Sequence, residues 1–281
     1  MADNYTERAW YLRCAAEDVA ERGVLVGDRS RVLLAAELLD DARILNEDRG
    51  LTTATGTWNG TPVTVSAFGM GAAIAAVVLH ELTALGLRAV VRLGTALAVG
   101  EAQLGDLVVA DSALRGESTS ATYVPTGYPA APDLDLTVAL RDAARRSGRR
   151  TTTGMIASYD GFYSELFADA TMPSSKSVDV DALIRHGVVG LDMESSAVLA
   201  IGRSLGVRGG VLCLASVDGR NHRKIEGSDR VAAERDLLTA GFEALCATPL
   251  ASATPQTRAT GTASEAASGT ERGSSLKGAT R

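Results

Sequence analysis

Short runs rich in β-branched residues alternate along this chain with longer segments in which apolar residues recur at helical spacing. Such alternation is typical of a sheet covered by helices on its faces. The predicted strands are 24–26, 63–67, 89–93, 107–110, 151–157 and 210–216, and the predicted helices are 32–39, 72–85, 134–145, 194–205 and 229–245. We therefore expect an α/β fold, a three-layer α/β/α single domain.

The dipeptide Asn59-Gly60 separates two strand-like segments, 52–58 and 61–67. Both residues tolerate positive φ, which the common two-residue hairpin turns require. This part of the sheet should therefore be antiparallel, and the central sheet is predicted to be mixed.

The chain has 281 residues, of which 46% are hydrophobic. This is enough for one large domain with a filled core. We place that domain at residues 23–247, after an N-terminal segment 1–22. From residue 248 to 281 the composition changes to Ala, Thr, Ser and Gly, which cannot bury enough apolar surface to offset the entropy of ordering. This tail is predicted to be disordered.

The net charge of −6 and the sequence pI near 5.2 argue against a basic surface for nucleic acid. No segment has the uninterrupted apolar length that spans a bilayer, and the N-terminus has no apolar signal core. We expect a cytoplasmic protein that binds neither nucleic acid nor a membrane. Any anion must be bound by local arginines.

Cysteines and histidines give no sign of a metal site or a disulfide framework. The three cysteines are widely spaced, odd in number and without a CxxC pair: Cys14, Cys213 and Cys246. The three histidines show no metal-ligand spacing: His80, His186 and His222. We therefore predict no metal and reduced thiols.

The sequence Gly27-Asp28-Arg29-Ser30-Arg31 follows a predicted strand and opens a predicted helix. A glycine at such a turn lets backbone N–H groups approach an anion, and Arg31 could bind its oxygens. A Gly-Asp turn that only caps the helix explains the same residues.

In Arg92-Leu93-Gly94-Thr95, a cation interrupts an apolar strand. A charge in such a place is costly unless it is paired, so Arg92 is either in a buried salt bridge or in contact with a ligand. Thr95 adds a hydroxyl group beyond the glycine.

Two carboxylates flank a methionine in Asp192-Met193-Glu194, where a strand gives way to a helix. A carboxylate in a first helical turn commonly compensates the helix dipole. Alternatively, Glu194 accepts hydrogen bonds from vicinal sugar hydroxyls while Met193 packs on the apolar face of the sugar.

Six segments in this order resemble those of the hexameric nucleoside phosphorylases, which include uridine phosphorylases, bacterial purine nucleoside phosphorylases and related nucleosidases. The resemblance covers about residues 23–245, and the segments are 27–31, 46–50 with Arg49, 68–71, 92–95, 162–163 and 192–195. It implies a homo-oligomer, a dimer or a trimer of dimers, in which each active site borrows residues from a neighbouring subunit. It also implies phosphorolysis of a nucleoside to a free base and (deoxy)ribose 1-phosphate, with inorganic phosphate as co-substrate and no cofactor.

The resemblance assigns roles to particular residues. Phosphate would bind to Gly27, Arg31, Arg92, Thr95 and the neighbour's Arg49. Ribose would contact Met70, Met193 and Glu194, with Tyr11 in the place of a family histidine that reaches the neighbour's ribose 5′-hydroxyl. The base would contact Phe162, Val217 and Asp218. Arg92, Glu194 and Asp218 would be the catalytic residues.

The identity of the base is less defined than the reaction. The length between Tyr163 and Asp192, the motif at 192–196 and the register of Val217 and Asp218 favour a uridine-like pyrimidine nucleoside. However, the uracil-binding glutamine and arginine of the family are replaced by 164–167, and Ala96-Leu97 stands where a small residue and glycine are usual. We therefore expect an unusual base or a modified 5′ position.

Three alternatives to a uridine-like phosphorylase stay open. A purine nucleoside phosphorylase would use Asp218 to protonate the base, if the strand end shifts by one residue. A nucleosidase of the same fold would use water, but it would not need Arg31, Arg49 and Arg92 together. A non-catalytic nucleoside-binding protein would bind its ligand without releasing a base.

Overall fold

The computed structural model of the protein describes residues 7–166 and 178–250. The predicted disordered tail, apart from 248–250, lies outside this range, as do residues 1–6 of the N-terminal segment and Phe167 of the 164–167 replacement. The strands are β1 Arg22–Val26, β2 Asp40–Asn46, β3 Thr53–Trp58, β4 Thr61–Ala67, β5 Ala89–Ala98, β6 Leu107–Arg115, β7 Thr151–Ser158, β8 Val188–Asp192 and β9 Arg208–Asp218. The helices are α1 Arg29–Leu38, α2 Ala72–Ala84, α3 Leu134–Arg146, α4 Val180–Arg185, α5 Ser195–Ser204 and α6 Gly227–Ala247.

The strands form one mixed sheet in the order β2-β3-β4-β1-β5-β8-β7-β6-β9. Strand β5 also pairs with β9, so that the strands from β5 to β9 close into a ring. Strands β4, β1, β5 and β9 are parallel neighbours, whereas β3 and β4 form the predicted antiparallel hairpin. At its turn, Asn59 and Gly60 have φ values of 48° and 77°, as the dipeptide predicted.

Helices cover both faces of the sheet, which confirms the predicted three-layer α/β/α fold. Helices α1, α3 and α6 pack with one face around a core that includes Val32, Leu140 and Phe242. Helices α2 and α5 pack with the other face around Leu79 and Ile201. Of the helices in residues 7–166 and 178–250, none combines the length and apolar content needed to cross a membrane.

Strand β2 and helix α4 were not predicted, and strands β5 and β6 each run five residues past their predicted ends at 93 and 110. Strand β2 is an edge strand in which four of seven residues are exposed, three of them charged, so it lacks the apolar alternation that marks a half-buried strand. Helix α4 has only six residues and starts at Asp179, whose side chain accepts a hydrogen bond from the Ala182 N–H. Strand β5 continues past Leu93 to Ala98, because the glycine at 94 lies inside the ladder with β9 instead of ending it.

The cysteines lie in the core or at its margin as free thiols. Burial raises the pKa of Cys14, Cys213 and Cys246 to about 11 in each case. These thiols are therefore protonated at neutral pH.

Candidate active site

A cavity of about 520 Å³ lies at the carboxyl ends of the parallel strands β4, β1, β5 and β9. Ligands of open α/β sheets typically bind at this edge. Nine of the residues predicted for the site line the cavity: Gly27, Arg31, Met70, Arg92, Thr95, Phe162, Met193, Glu194 and Val217. The side chains of Arg49, Tyr11 and Asp218 are not on its wall.

The turn after β1 needs a glycine because another chain segment passes close to it. A Cβ atom on Gly27 would lie 2.9 Å from the backbone oxygen of Gly69, which follows β4. Asp28 caps α1, since its carboxylate accepts a hydrogen bond of 2.9 Å from the Ser30 N–H. The capping interpretation of this motif is therefore confirmed for Asp28, and Arg31 in the first turn of α1 is left to face the cavity.

Arg31 is a buried cation with incomplete compensation. Its Nη1 donates to the Leu93 backbone oxygen at 2.9 Å, and its Nε lies 3.8 Å from a carboxylate oxygen of Glu234. Burial lowers the pKa of the Arg31 guanidinium, and the positive charge of Arg92 adds to this effect, although Glu234 opposes it. The buried Nε has no hydrogen-bond partner among the described residues. An anion in the cavity would stabilise this charge.

Arg92 is buried against two carboxylates. Its Nη2 lies 3.1 Å from Asp192 and contacts Glu194, and its Nη1 donates to Cys213 Sγ at 3.2 Å. Burial alone would lower the pKa of Arg92, but the two carboxylates outweigh it and raise the pKa above the usual value. Its buried Nε, like that of Arg31, has no hydrogen-bond partner in the part of the chain that the structure covers.

The position of the Arg92 guanidinium depends on the glycine two residues later. A Cβ atom on Gly94 would lie 1.5 Å from Arg92 Nη1. The sequence left a buried salt bridge and a ligand contact as alternatives for Arg92. The structure places the side chain in a salt bridge and on the cavity wall, so the two alternatives are compatible.

Asp192 and Glu194 divide two tasks that the sequence could not separate. Asp192 caps α5: its carboxylate accepts hydrogen bonds of 3.2 Å from the Ser195 N–H, and one of 2.6 Å from the Ser158 hydroxyl. Glu194 makes no such side-chain cap. Its carboxylate instead accepts a hydrogen bond of 2.6 Å from the Gly71 N–H and contacts Arg92. Glu194 therefore gives α5 no side-chain cap, and the first N–H group of the helix donates its hydrogen bond to Asp192 instead.

The opposite end of the cavity is apolar. Its wall includes Ala96, Leu97, Phe162, Leu166 and Val217. The ladder between β5 and β9 has an irregularity here, because the pairing shifts by one residue between positions 96 and 97. This shift decides which side chains after position 215 face the cavity.

Asp218 does not face the cavity. Its carboxylate accepts a hydrogen bond of 2.8 Å from the Arg220 N–H and one of 3.3 Å from the Asn221 N–H. These donors stabilise the charged form and lower the pKa of Asp218. A purine enzyme would need the strand end shifted so that Asp218 faces the base. In this structure Val217 lies on the wall of the cavity, and Asp218 does not. The catalytic and base-binding roles that we predicted for Asp218 have no support in this geometry.

Tyr11 and Arg49, both predicted to act in a neighbouring subunit, lie side by side. The guanidinium carbon of Arg49 is 5.5 Å from the centre of the Tyr11 ring. Gly50, the next residue, lies on the wall of the cavity. Tyr11 and Arg49 are thus in contact with each other at the margin of the site. Their action across a subunit interface stays a prediction.

Three contacts of the site were not predicted from the sequence. Cys213 touches Arg92 because it pairs with Gly94 across the ladder, and nothing in its apolar neighbours marks it. The Gly71 N–H donates a hydrogen bond to Glu194, although the two residues are 123 positions apart in the sequence. Asp192 acts as a cap and as an ion-pair partner. Within residues 7–166 and 178–250, no group of three His, Cys, Asp or Glu side chains could hold a metal ion.

Comparison with known proteins identifies the family. Residues 21–240 match the model of the phosphorylase superfamily. The chain belongs to the phosphorylase superfamily. It is 34% identical to the uridine phosphorylase of Thermococcus kodakarensis over 208 residues, 73% of this chain and 75% of the relative. It is also 34% identical to the guanosine phosphorylase of Halorubrum lacusprofundi over 203 residues, 72% of this chain and 79% of the relative.

A solved structure agrees with these relatives. The fold matches that of uridine phosphorylase from Vibrio fischeri with a TM-score of 0.73 and 26% sequence identity, over 85% of this chain and 97% of the other. The predicted membership in the nucleoside phosphorylases, as enzymes with a mixed α/β fold, is therefore confirmed.

Proposed function

We propose that this protein catalyses the reversible phosphorolysis of a nucleoside, with inorganic phosphate as co-substrate and neither a metal nor an organic cofactor. One observation carries the proposal: two buried guanidinium groups, those of Arg31 and Arg92, line the same cavity as Glu194. Each has a buried Nε without a hydrogen-bond partner among the residues that the structure describes. A dianion between the two guanidinium groups offsets the cost of burying their charges.

Phosphate binds beside the turn at Gly27, between Arg31 and Arg92, with the Thr95 hydroxyl as a further donor. A nucleosidase, in which water is the nucleophile, would not need such a pair of cations. The arrangement therefore favours phosphorolysis over hydrolysis. The cavity of about 520 Å³ is large enough for a small ligand of nucleoside size next to the anion.

Glu194 binds the ribose hydroxyl groups, while Met193 and Met70 contact the sugar. A phosphate oxygen forms a bond to C1′ as the bond from C1′ to the base nitrogen breaks, and the base leaves with that electron pair and takes up a proton. The positive charge that develops on the sugar is stabilised by the negative charge of the bound phosphate. Both reactants are held in place before the reaction, which lowers its entropic cost. The products are the free base and (deoxy)ribose 1-phosphate.

The base lies at the apolar end, where Phe162 stacks on it and Val217 lines the wall. A uridine-like pyrimidine is the preferred substrate, because Asp218 is engaged by the backbone of its own turn and is not available to a purine nitrogen. The guanosine phosphorylase relative favours a purine nucleoside as the second candidate.

The active enzyme is a homo-oligomer, a dimer or a trimer of dimers, in which Arg49 and Tyr11 of one subunit complete the site of the next. Arg49 adds a third guanidinium to the phosphate, and Tyr11 lies near the ribose 5′ position. These assignments rest on the resemblance of the segment 46–50 to the family and on the contact between the two side chains.

The test is release of free base from uridine, thymidine, inosine, guanosine and 5′-deoxy or 5′-substituted analogues, with and without added phosphate. We expect phosphate-dependent release with a preference for pyrimidines. Release that is independent of phosphate identifies a nucleosidase, and binding without release identifies a non-catalytic protein. Equal rates for all 5′ analogues, together with an unaltered Tyr11→Phe variant, would contradict the 5′ role of Tyr11.

A further inference from the structure

The N-terminal turn is fixed to the body of the protein by one buried carboxylate. Glu81, in the last turns of α2, is only 6% exposed. Its two oxygens accept hydrogen bonds of 2.9–3.2 Å from three consecutive backbone N–H groups, those of Trp10, Tyr11 and Leu12. Successive N–H groups that converge on one anion form a rigid local structure.

This turn is also closed on itself and seated in the core. The Ala9 N–H donates to the Cys14 backbone oxygen at 2.9 Å, and Leu12 is fully buried. The Tyr11 side chain, between these anchored positions, is 42% exposed and points away from the core. The backbone of the turn therefore determines where the Tyr11 ring lies.

The Tyr11 ring in turn supports Arg49, whose guanidinium carbon is 5.5 Å from the ring centre. Arg49 has φ 58° and ψ 14°, a left-handed conformation that is uncommon for residues other than glycine. Such a conformation persists when surrounding contacts favour it. The ring is such a contact, because a guanidinium over an aromatic face is attracted to it.

Support by a ring leaves the donors of Arg49 free. In the described ranges, no carboxylate forms an ion pair with Arg49, and the adjacent Asp48 lies 3.8 Å from Arg13 instead. A carboxylate partner would occupy the N–H groups of the guanidinium, whereas a π face leaves its five donors available to an anion.

We propose that Glu81 and Tyr11 are positioning residues for the phosphate contact of Arg49. Glu81 fixes the turn, the turn holds the Tyr11 ring, and the ring holds the Arg49 guanidinium ready for the phosphate of a neighbouring subunit. This inference rests on the proposed function, in which Arg49 binds that phosphate. It assigns the ring of Tyr11 to phosphate binding, in addition to any contact of its hydroxyl group with the sugar.

The experiment compares Tyr11→Phe, which keeps the ring, with Tyr11→Leu, which removes it. Tyr11 is at the surface, and both variants keep an apolar side chain there. Tyr11→Leu is expected to raise the KM for phosphate between about twofold and thirtyfold, the range of cation–π contacts from exposed to desolvated sites. Tyr11→Phe should keep the wild-type KM for phosphate. A purely structural role of the ring would also change kcat and the nucleoside KM of Tyr11→Leu beyond their values in Tyr11→Phe, which lacks the same hydroxyl group.

The same substitutions in an Arg49→Met background test whether the effect passes through the guanidinium. Arg49→Met should raise the KM for phosphate, and neither Tyr11→Leu nor Glu81→Gln should raise it further in that background. Glu81→Gln alone should raise the KM for phosphate and lower the midpoint of chemical unfolding.

An unchanged KM for phosphate in Tyr11→Leu, or an effect that persists in full without Arg49, would overturn the inference. The wild-type protein separates this outcome from failure of the proposed function. If the wild-type protein releases base without phosphate, the proposed function is wrong. If its release of base depends on phosphate but Tyr11→Leu leaves the KM for phosphate unchanged, only the positioning role is refuted.

Discussion

The two ends of the cavity are built on different physical principles. At the phosphate end, each buried guanidinium faces a carboxylate, Arg31 toward Glu234 and Arg92 toward Asp192 and Glu194. At the base end, the wall is apolar and follows an irregular step in the ladder between β5 and β9. Buried charges tolerate few substitutions because their partners must change with them, whereas apolar walls tolerate many. The reaction is therefore more strongly constrained by this structure than the identity of the base.

The largest effect is expected at Arg92. Arg92→Met leaves Asp192 and Glu194 buried without their cation and should lower the free energy of unfolding by about 3–5 kcal/mol, the usual cost of breaking a buried pair from one side. Arg31→Met should cost less, because its Nε is 3.8 Å from a partly exposed Glu234. Chemical unfolding of the two variants gives the comparison. Equal losses would show that the ion pairs of Arg92 contribute no more than the packing of the side chain.

Glu194→Gln tests the sugar-binding carboxylate next. It should lower kcat/KM for the nucleoside by about 10²–10³-fold, as loss of a preorganised electrostatic contact does. Binding of phosphate alone should become tighter, because Arg92 no longer pairs with an anionic partner at that position. Calorimetry with phosphate in the absence of nucleoside measures this. Weaker phosphate binding would show that Glu194 orients Arg92 instead of competing for it.

A smaller effect is expected at the base end, from Leu97→Ala. Additional space on the apolar wall should change the ratio of kcat/KM between purine and pyrimidine nucleosides about 10-fold in favour of the larger base. Leu93→Ala is a matched control, because Leu93 is buried on the same strand but does not line the cavity. An unchanged ratio in Leu97→Ala, or the same change in the control, would show that Leu97 does not contact the base.

The smallest effect is expected at Asp218. A general acid contributes about 10²–10⁴-fold to a rate, whereas Asp218→Asn should leave kcat essentially unchanged, because Asp218 does not line the cavity. Backbone N–H groups of its own turn also bind the carboxylate and lower its pKa, so that it is ionised at neutral pH. Steady-state rates with uridine and guanosine decide this. A large loss with guanosine alone would support the purine alternative.

Much of the fold was predictable because its signals are local. The alternation of strands and helices and the Asn59-Gly60 turn depend on near neighbours in the chain, and both were confirmed. Strand β2 was not predictable, because its pairing with β3 supplies the stability that its own exposed residues do not. The extent of β5 was also missed, because Gly94 is typical of a strand end unless the partner strand is known.

The site was predictable to the extent that its residues have local signals. Arg92 is marked as a charge in an apolar strand, whereas Arg31 and Glu194 are marked by their places at predicted helix starts, and the structure brings all three to one cavity. The division of labour between Asp192 and Glu194 was not predictable, because both are acidic residues at the same helix start. Asp218 was misplaced because a one-residue shift between β5 and β9 has no local signature.

The identity of the sugar product distinguishes phosphorolysis from hydrolysis. When nucleoside and inorganic phosphate are incubated with the wild-type protein, ³¹P NMR should show one equivalent of ribose 1-phosphate for each equivalent of base released. This product should be absent with Arg31→Met at equal protein concentration. Base release with free ribose as the only sugar product would contradict the assignment of Arg31 and Arg92 to phosphate.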